Sequence, residues 1–141
     1  MASQDLYNSI KQINALDIQT IGTDTTTNGD ILDTQGYESV TFLFQTGTVT
    51  DGDYAVLIQE GDESDLSDAA SVADADLIGT EALASFDADT DDNKTTKLGY
   101  KGNKRYVRFN IVSTNTSSGA VLGAMAVLGH ARVQPQATQE V

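Results

Sequence analysis

The chain has no cysteine and no tryptophan, and only one proline and one histidine among its 141 residues. Without cysteine there can be no disulfide, no thiolate metal site and no cysteine nucleophile, and the fold does not depend on an oxidising compartment. The single histidine, His130, rules out a multi-histidine metal site. It follows a strand-like run and precedes Ala131 and Arg132, a place that suits capping or an interface better than general-base work. Neither Gly-x-Gly-x-x-Gly, nor a P-loop, nor the Gly-x-Ser-x-Gly nucleophile elbow is present. Long apolar runs are also lacking. The longest, Ala120 to Leu128, is broken by Gly123, whereas a helical membrane span needs about 20 apolar residues. Met1-Ala2-Ser3-Gln4-Asp5 carries no export signal. The expectation is a soluble, single-domain protein with no cofactor, no metal and no membrane partner.

Charge is absent by sign as well. Residues 51–92 hold fourteen of the twenty-one acidic side chains and no basic one, and residues 94–132 hold seven of the eight basic ones and no acidic one. A net charge of −13 argues against nucleic acid as a partner, because phosphate binding is driven by cations that displace counterions. Such separation suits oriented contact between protein surfaces. In the basic segment Tyr100 and Tyr106 are interleaved with Lys94, Lys97, Lys101, Lys104, Arg105 and Arg108, with Arg132 further on. Arginine and tyrosine are enriched at protein interfaces, so Tyr100, Lys101, Lys104, Arg105, Tyr106, Arg108 and Arg132 form the candidate interface.

Apolar residues alternate with polar ones in several short runs. Val40, Phe42 and Phe44 share one face of a strand over 39–46, Tyr54 to Glu60 reads as a central strand, and the pair is expected to form a hairpin. Val107, Phe109 and Ile111 point inward and Tyr106, Arg108 and Asn110 outward in the clearest strand, 104–113. The run 120–129 mixes glycine and alanine with Val121, Met125 and Val127, which suits close approach by another sheet or chain. An earlier strand over 16–20 is expected to turn at Asn28-Gly29 and return through Ile31, since that pair accepts the positive φ angles of a type I′ turn. Residues 61–76, rich in Asp, Ser and Ala, read as a surface excursion with a helical turn around Leu66, Ala69 and Ala70, anchored by Phe86. These readings give an all-β fold: an antiparallel β-sandwich or β-barrel with a long acidic loop excursion that has room for a short helix. The domain spans 16–133, between an N-terminal arm (1–15) and a flexible C-terminal tail (134–141).

Acidic clusters give little chemistry. Asp87, Asp89 and Asp91 occupy the first, third and fifth positions of a calcium-loop pattern, but Asp92 replaces the turn glycine and Leu98 the bidentate glutamate. Ile31-Leu32-Asp33-Thr34 has the apolar approach of an aspartic-protease strand, yet Gln35 replaces the glycine and no second copy exists. Pairs such as Asp51 and Asp53 could serve a glycosidase only at separations that sequence spacing does not set. No catalytic residue is assigned, and the chain is not expected to be an enzyme.

Several segments taken in order carry a resemblance: Asp24 to Gly29, Asp33-Thr34-Gln35-Gly36-Tyr37-Glu38-Ser39-Val40-Thr41-Phe42, Thr50-Asp51-Gly52-Asp53-Tyr54, Leu77-Ile78-Gly79-Thr80, Gly99 to Arg108 and Ala126-Val127-Leu128-Gly129-His130. Over roughly residues 16 to 135 the chain resembles small structural proteins encoded near the major capsid gene of tailed bacteriophages, which are described as virion or capsid decoration (cement) proteins. The resemblance implies a β-rich module on the capsid exterior, assembled in the host cytoplasm as a dimer or trimer, with the major capsid protein as partner. The competing expectation is a carbohydrate- or host-surface-binding β-sandwich on the virion or tail; a carboxylate hydrolase ranks last.

Overall fold

The run 120–129 shows how the sequence dictates the architecture. Ala120, Leu122, Ala124, Ala126 and Leu128 are buried while the residues between them are not, the period of two that a strand imposes on a sheet with one covered face. The structure is a computed structural model that describes residues 4–87 and 90–136. Its strands are β1 (Ile10–Ile21), β2 (Thr25–Asp33), β3 (Ser39–Val49), β4 (Asp53–Gly61), the short β5 (Ala70–Ser71), β6 (Leu77–Ile78) and β7 (Phe86–Asp87), then β8 (Thr95–Tyr100), β9 (Tyr106–Thr114) and β10 (Ala120–Gly129). One four-residue helix, α1 (Glu81–Ala84), lies between β6 and β7. Among the described residues no helix is long and apolar enough to cross a membrane.

The pairing is symmetrical about the middle of the chain. Ile10 faces Gly129, Thr25 faces Ser113, Val40 faces Tyr100 and Tyr54 faces Phe86, so every pair straddles Ala69 or Ala70. The chain is therefore one long antiparallel ribbon, doubled back near Ala70 and coiled so that successive lengths fall in alternate sheets. Coiling adds the pairs β3–β10 and β4–β9. The result is a sandwich of two sheets, ordered β1-β10-β3-β8-β6 and β2-β9-β4-β5, with β7 also on β4 and no barrel closure. This is jelly-roll strand order, with the last strand of the second sheet reduced to the fragments β5 and β7.

Phe42 and Phe44 of one sheet meet Phe109 of the other at ring-centroid distances of 5.7 and 5.1 Å, and these rings form the centre of the core. Leu16, Leu32, Ile58, Leu98, Val107, Ile111 and Leu128 complete it. Near one end Tyr54 stacks on Phe86 at 5.0 Å, which ties the returning end of the 61–87 excursion to the core.

Several expectations need correction. Asn28 and Gly29 lie within β2, where the register with β9 shifts between Asn28 and Ile31, and the chain turns earlier, around Thr23–Asp24. A β-carbon on Gly29 would fall 2.0 Å from the Ala15 carbonyl oxygen and 2.5 Å from that of Phe109. That glycine admits two neighbouring backbones and makes no turn. β3 and β4 are not a hairpin; the turn through Gly52 carries the chain from one sheet to the other. Leu66 is buried with a φ of 52°, and no helix forms around it, Ala69 or Ala70; the helical turns come later, at Asp74–Asp76 and in α1. Ile10 to Ala15, expected in the arm, belong to β1. In the expected tail, Gln136 donates its N–H to the Asn8 carbonyl at 2.8 Å and accepts from the Tyr37 hydroxyl at 2.8 Å. Residues 1–3 and 137–141 lie outside the described residues.

The excursion seals a strand edge. β4 pairs with β9 on one side, and on the other only its ends are paired, by β7 and β5. Between them the Val56 N–H donates to Ser85 Oγ (3.0 Å) and the Ile58 N–H to Glu81 Oε1 (2.7 Å). Side chains from α1 and its flank thus replace a missing strand and blunt an edge that would otherwise invite pairing. Burial pushes the Glu81 carboxyl above the usual carboxylate range against the pull of the Ile58 N–H. Glu81→Ala leaves that N–H without an acceptor and should cost about 1–3 kcal/mol. Glu81→Gln keeps an acceptor oxygen and removes the desolvated charge, so urea unfolding should find it close to wild type. Gly29→Ala should lower the melting temperature more than any alanine substitution at an exposed strand position, because two carbonyls would have to move.

Candidate functional site

Coiling the ribbon takes the expected basic stripe apart. Tyr100 ends β8 with its ring in the core, 6 % exposed. Its hydroxyl donates to Glu60 Oε2 at 2.6 Å and accepts from the Lys104 N–H at 3.0 Å. Burial first, then the Glu60 carboxylate, pushes its pKa well above the ordinary phenol value. A β-carbon on Gly102 would lie 2.5 Å from that hydroxyl, so the Lys101-Gly102-Asn103 turn wraps the ring and glycine is what lets it close. Tyr100 is an organiser of the loop that carries the lysines.

The cations that follow are engaged by acids from elsewhere in the chain. Lys104 pairs with Asp62, and Arg105 grips Asp33 through Nε (2.9 Å) and Nη2 (2.7 Å) while lying 5.0 Å from the Tyr106 ring centre. The Arg105 guanidinium holds Asp33 below the usual carboxylate range. Arg132 is exposed and 3.9 Å from Glu38. Lys104, Arg105 and Arg132 converge with Thr34 and Gly36 on a polar groove of about 410 Å³ at one end of the sandwich. Lys101 is exposed beside it. Tyr106 and Arg108 sit elsewhere, on the outer face of the β2-β9-β4 sheet. There Arg108 Nη2 (2.7 Å) and Asn110 Nδ2 (2.9 Å) both donate to Gln59 Oε1, and Asn110, expected outward, is 0 % exposed beneath them.

The acidic stretch is chiefly a set of backbone acceptors. Asp51 takes the N–H groups of Ser117, Ser118 and Gly119 at 2.8–3.0 Å and the Ser117 hydroxyl at 2.9 Å, closing the β9–β10 turn. Those donors hold its carboxyl far below the usual carboxylate range. Asp68 accepts from the Asp62 and Glu63 N–H groups, and Asp92 from the Val49 N–H. In the partial calcium pattern Asp91 accepts from the Asp87 N–H and pairs with Lys94 at 3.2 Å; Asp89 lies outside the described residues. Among the described residues no three His, Asp or Glu side chains are grouped to hold a metal. His130 has a φ of 52°, and its Nδ1 lies 2.9 Å from the Ser39 hydroxyl.

A surface that charge alone does not reveal lies on the outer face of the β1-β10-β3-β8 sheet. Val121, Gly123, Met125 and Val127 point outward from β10, opposite Leu43 and Thr41 of β3. β1 bulges twice beside them, between Asn14 and Gln19, and lays Ile18 over Gly123. Ile18 is 84 % exposed and Met125 49 %. Together they bound an open groove of about 620 Å³ whose lining contains no charged residue, in a chain of which 21 % is charged. Depletion of charge with exposed methionine and branched aliphatics is the composition of a protein-interface centre.

No known protein family, curated protein or solved structure matches this chain. Asp51 also makes the fold acid-sensitive. Its folded-state pKa lies below the unfolded value of about 3.9, so its stabilisation is full at neutral pH and is lost progressively below about pH 5. Asp51→Asn should lower the melting temperature at pH 7, and the gap to wild type should shrink as the pH is taken toward 2; thermal melts across that range measure it.

Proposed function

We propose that this protein is a non-enzymatic structural component of a tailed-phage virion that sits on the capsid exterior and braces the lattice of the major capsid protein. The observation that carries the reading is the charge-free apolar groove on one sheet face, a surface suited to permanent association in a chain that is otherwise strongly acidic. The ordered segments resembling small virion proteins supply the identity of the shell. Association into an oligomer suits the role, because modest contacts at several capsid sites add up when one assembly grips them together. The acidic remainder of the surface disfavours contact with packaged DNA.

A glycan-binding role draws little from the same surface. The one aromatic ring at the apolar groove, Phe44, is buried and packs on Phe109, so no exposed ring lies there for a sugar to stack on. Purified protein mixed with expanded phage heads should bind to saturation at a fixed ratio to the capsid subunit and raise the temperature at which heads disrupt. Heads that take up none of it at micromolar concentrations overturn the proposal.

A further inference from the structure

We infer that the occupant of the apolar sheet face is a second copy of this chain, joined face to face in a two-fold dimer. The inference rests on reading that face as an association surface, and the strand register carries it further. One cross-strand row runs Asn14–Met125–Leu43–Lys97, from β1 through β10 and β3 to β8. At its β1 end the Asn14 amide nitrogen holds two carboxylates, Asp17 Oδ1 and Asp30 Oδ2, each at 2.8 Å. At its β8 end Lys97 is exposed, and its side chain has no hydrogen-bond or ion-pair partner among the described residues. Negative charge thus sits at one end, an unpaired cation at the other, and an apolar pair between them, across about 14 Å of sheet.

A two-fold axis along the strands, passing between β10 and β3, maps this row onto itself reversed. Lys97 of each copy then meets the Asp17–Asp30 pair of the other, and Met125 packs on Leu43. A charge on a face that meets its own copy is best matched by the opposite sign across the axis, as it is here; a different partner imposes no such pattern. Most of the acidic stretch stays off the contact: its strands β4, β5 and β7 belong to the opposite sheet, and only the two-residue β6, itself uncharged, joins the contact sheet, at the edge beyond β8.

Sedimentation of the intact chain at tens of micromolar should give twice the 14.9 kDa chain mass. Met125→Glu and Lys97→Asp change exposed side chains and should each weaken the dimer at least tenfold with the melting profile kept. Combining Lys97→Asp with Asp17→Lys and Asp30→Lys exchanges the charges and should restore it. Because the chain has no cysteine, the double variant Asp17→Cys/Lys97→Cys gives an independent readout: its two sites are too far apart to bridge within one chain and should oxidise to a disulfide-linked dimer. A monomer throughout, a trimer, or a dimer indifferent to both Met125→Glu and Lys97→Asp overturns the inference. A dimer that does not bind heads leaves this inference standing and removes the virion reading; a monomer that binds heads does the reverse.

Discussion

The pairing of each strand with its mirror image about Ala70 is the constraint from which the remaining features follow. Once Tyr54 faces Phe86 and Val40 faces Tyr100, the ribbon has two faces, and coiling it buries one of them throughout. Inward positions must then be mainly apolar along all four lengths of the ribbon, as they are from Leu16 to Leu128, with Thr46 and Ser113 the buried polar exceptions near strand ends. Outward positions are free to differ, and they do: one sheet exposes aliphatics around Met125, and the other a polar cluster around Arg108. A coiled ribbon also leaves strand edges where it does not close, and three of these are blunted differently. β4 is covered by Glu81 and Ser85, β1 is broken by bulges, and β6 has only two residues. With strand-to-strand growth discouraged at those edges, contact through a face is the route that terminates.

The carboxylates belong to this account. A ribbon doubled back through long loops has many N–H groups outside the ladders, and each needs an acceptor. Asp51, Asp68, Asp92 and Glu81 supply it from within the acidic stretch, and Asp24 does the same for Thr116. Much of the negative charge is therefore structural, and the segregation of sign along the chain is partly undone in space by Lys104 with Asp62, Arg105 with Asp33 and Lys94 with Asp91.

The sandwich was legible because alternation in β3, β9 and β10 is local: one strand's pattern reveals which face is covered. What failed was non-local. Asn28-Gly29 has the composition of a turn, and only the backbones of Ala15 and Phe109 beside Gly29 show why glycine is needed mid-strand. β3 and β4 adjoin in sequence yet lie in different sheets, a separation that the coiling imposes and a turn motif does not announce. Of the seven basic and aromatic candidates, Lys104, Arg105 and Arg132 share a groove, whereas Tyr100 found Glu60 and turned inward. The apolar groove did leave a trace: Val121, Met125 and Val127 stand where alternation calls for polar residues, and the small residues of that run had suggested close approach. Its full extent depends on Ile18 and Leu43, which only the register brings alongside.

The mirrored register also sets an order of events during synthesis. Tyr54 and Phe86, near the doubled-back end, can meet while the C-terminal third of the chain is still unmade, but β1 has no ladder partner until β10 has left the ribosome. The first strand, with Ile13, Leu16, Ile18 and Ile21, must therefore wait unpaired while more than a hundred residues are added. In that interval, before its ladder exists, the nascent chain is most exposed to aggregation.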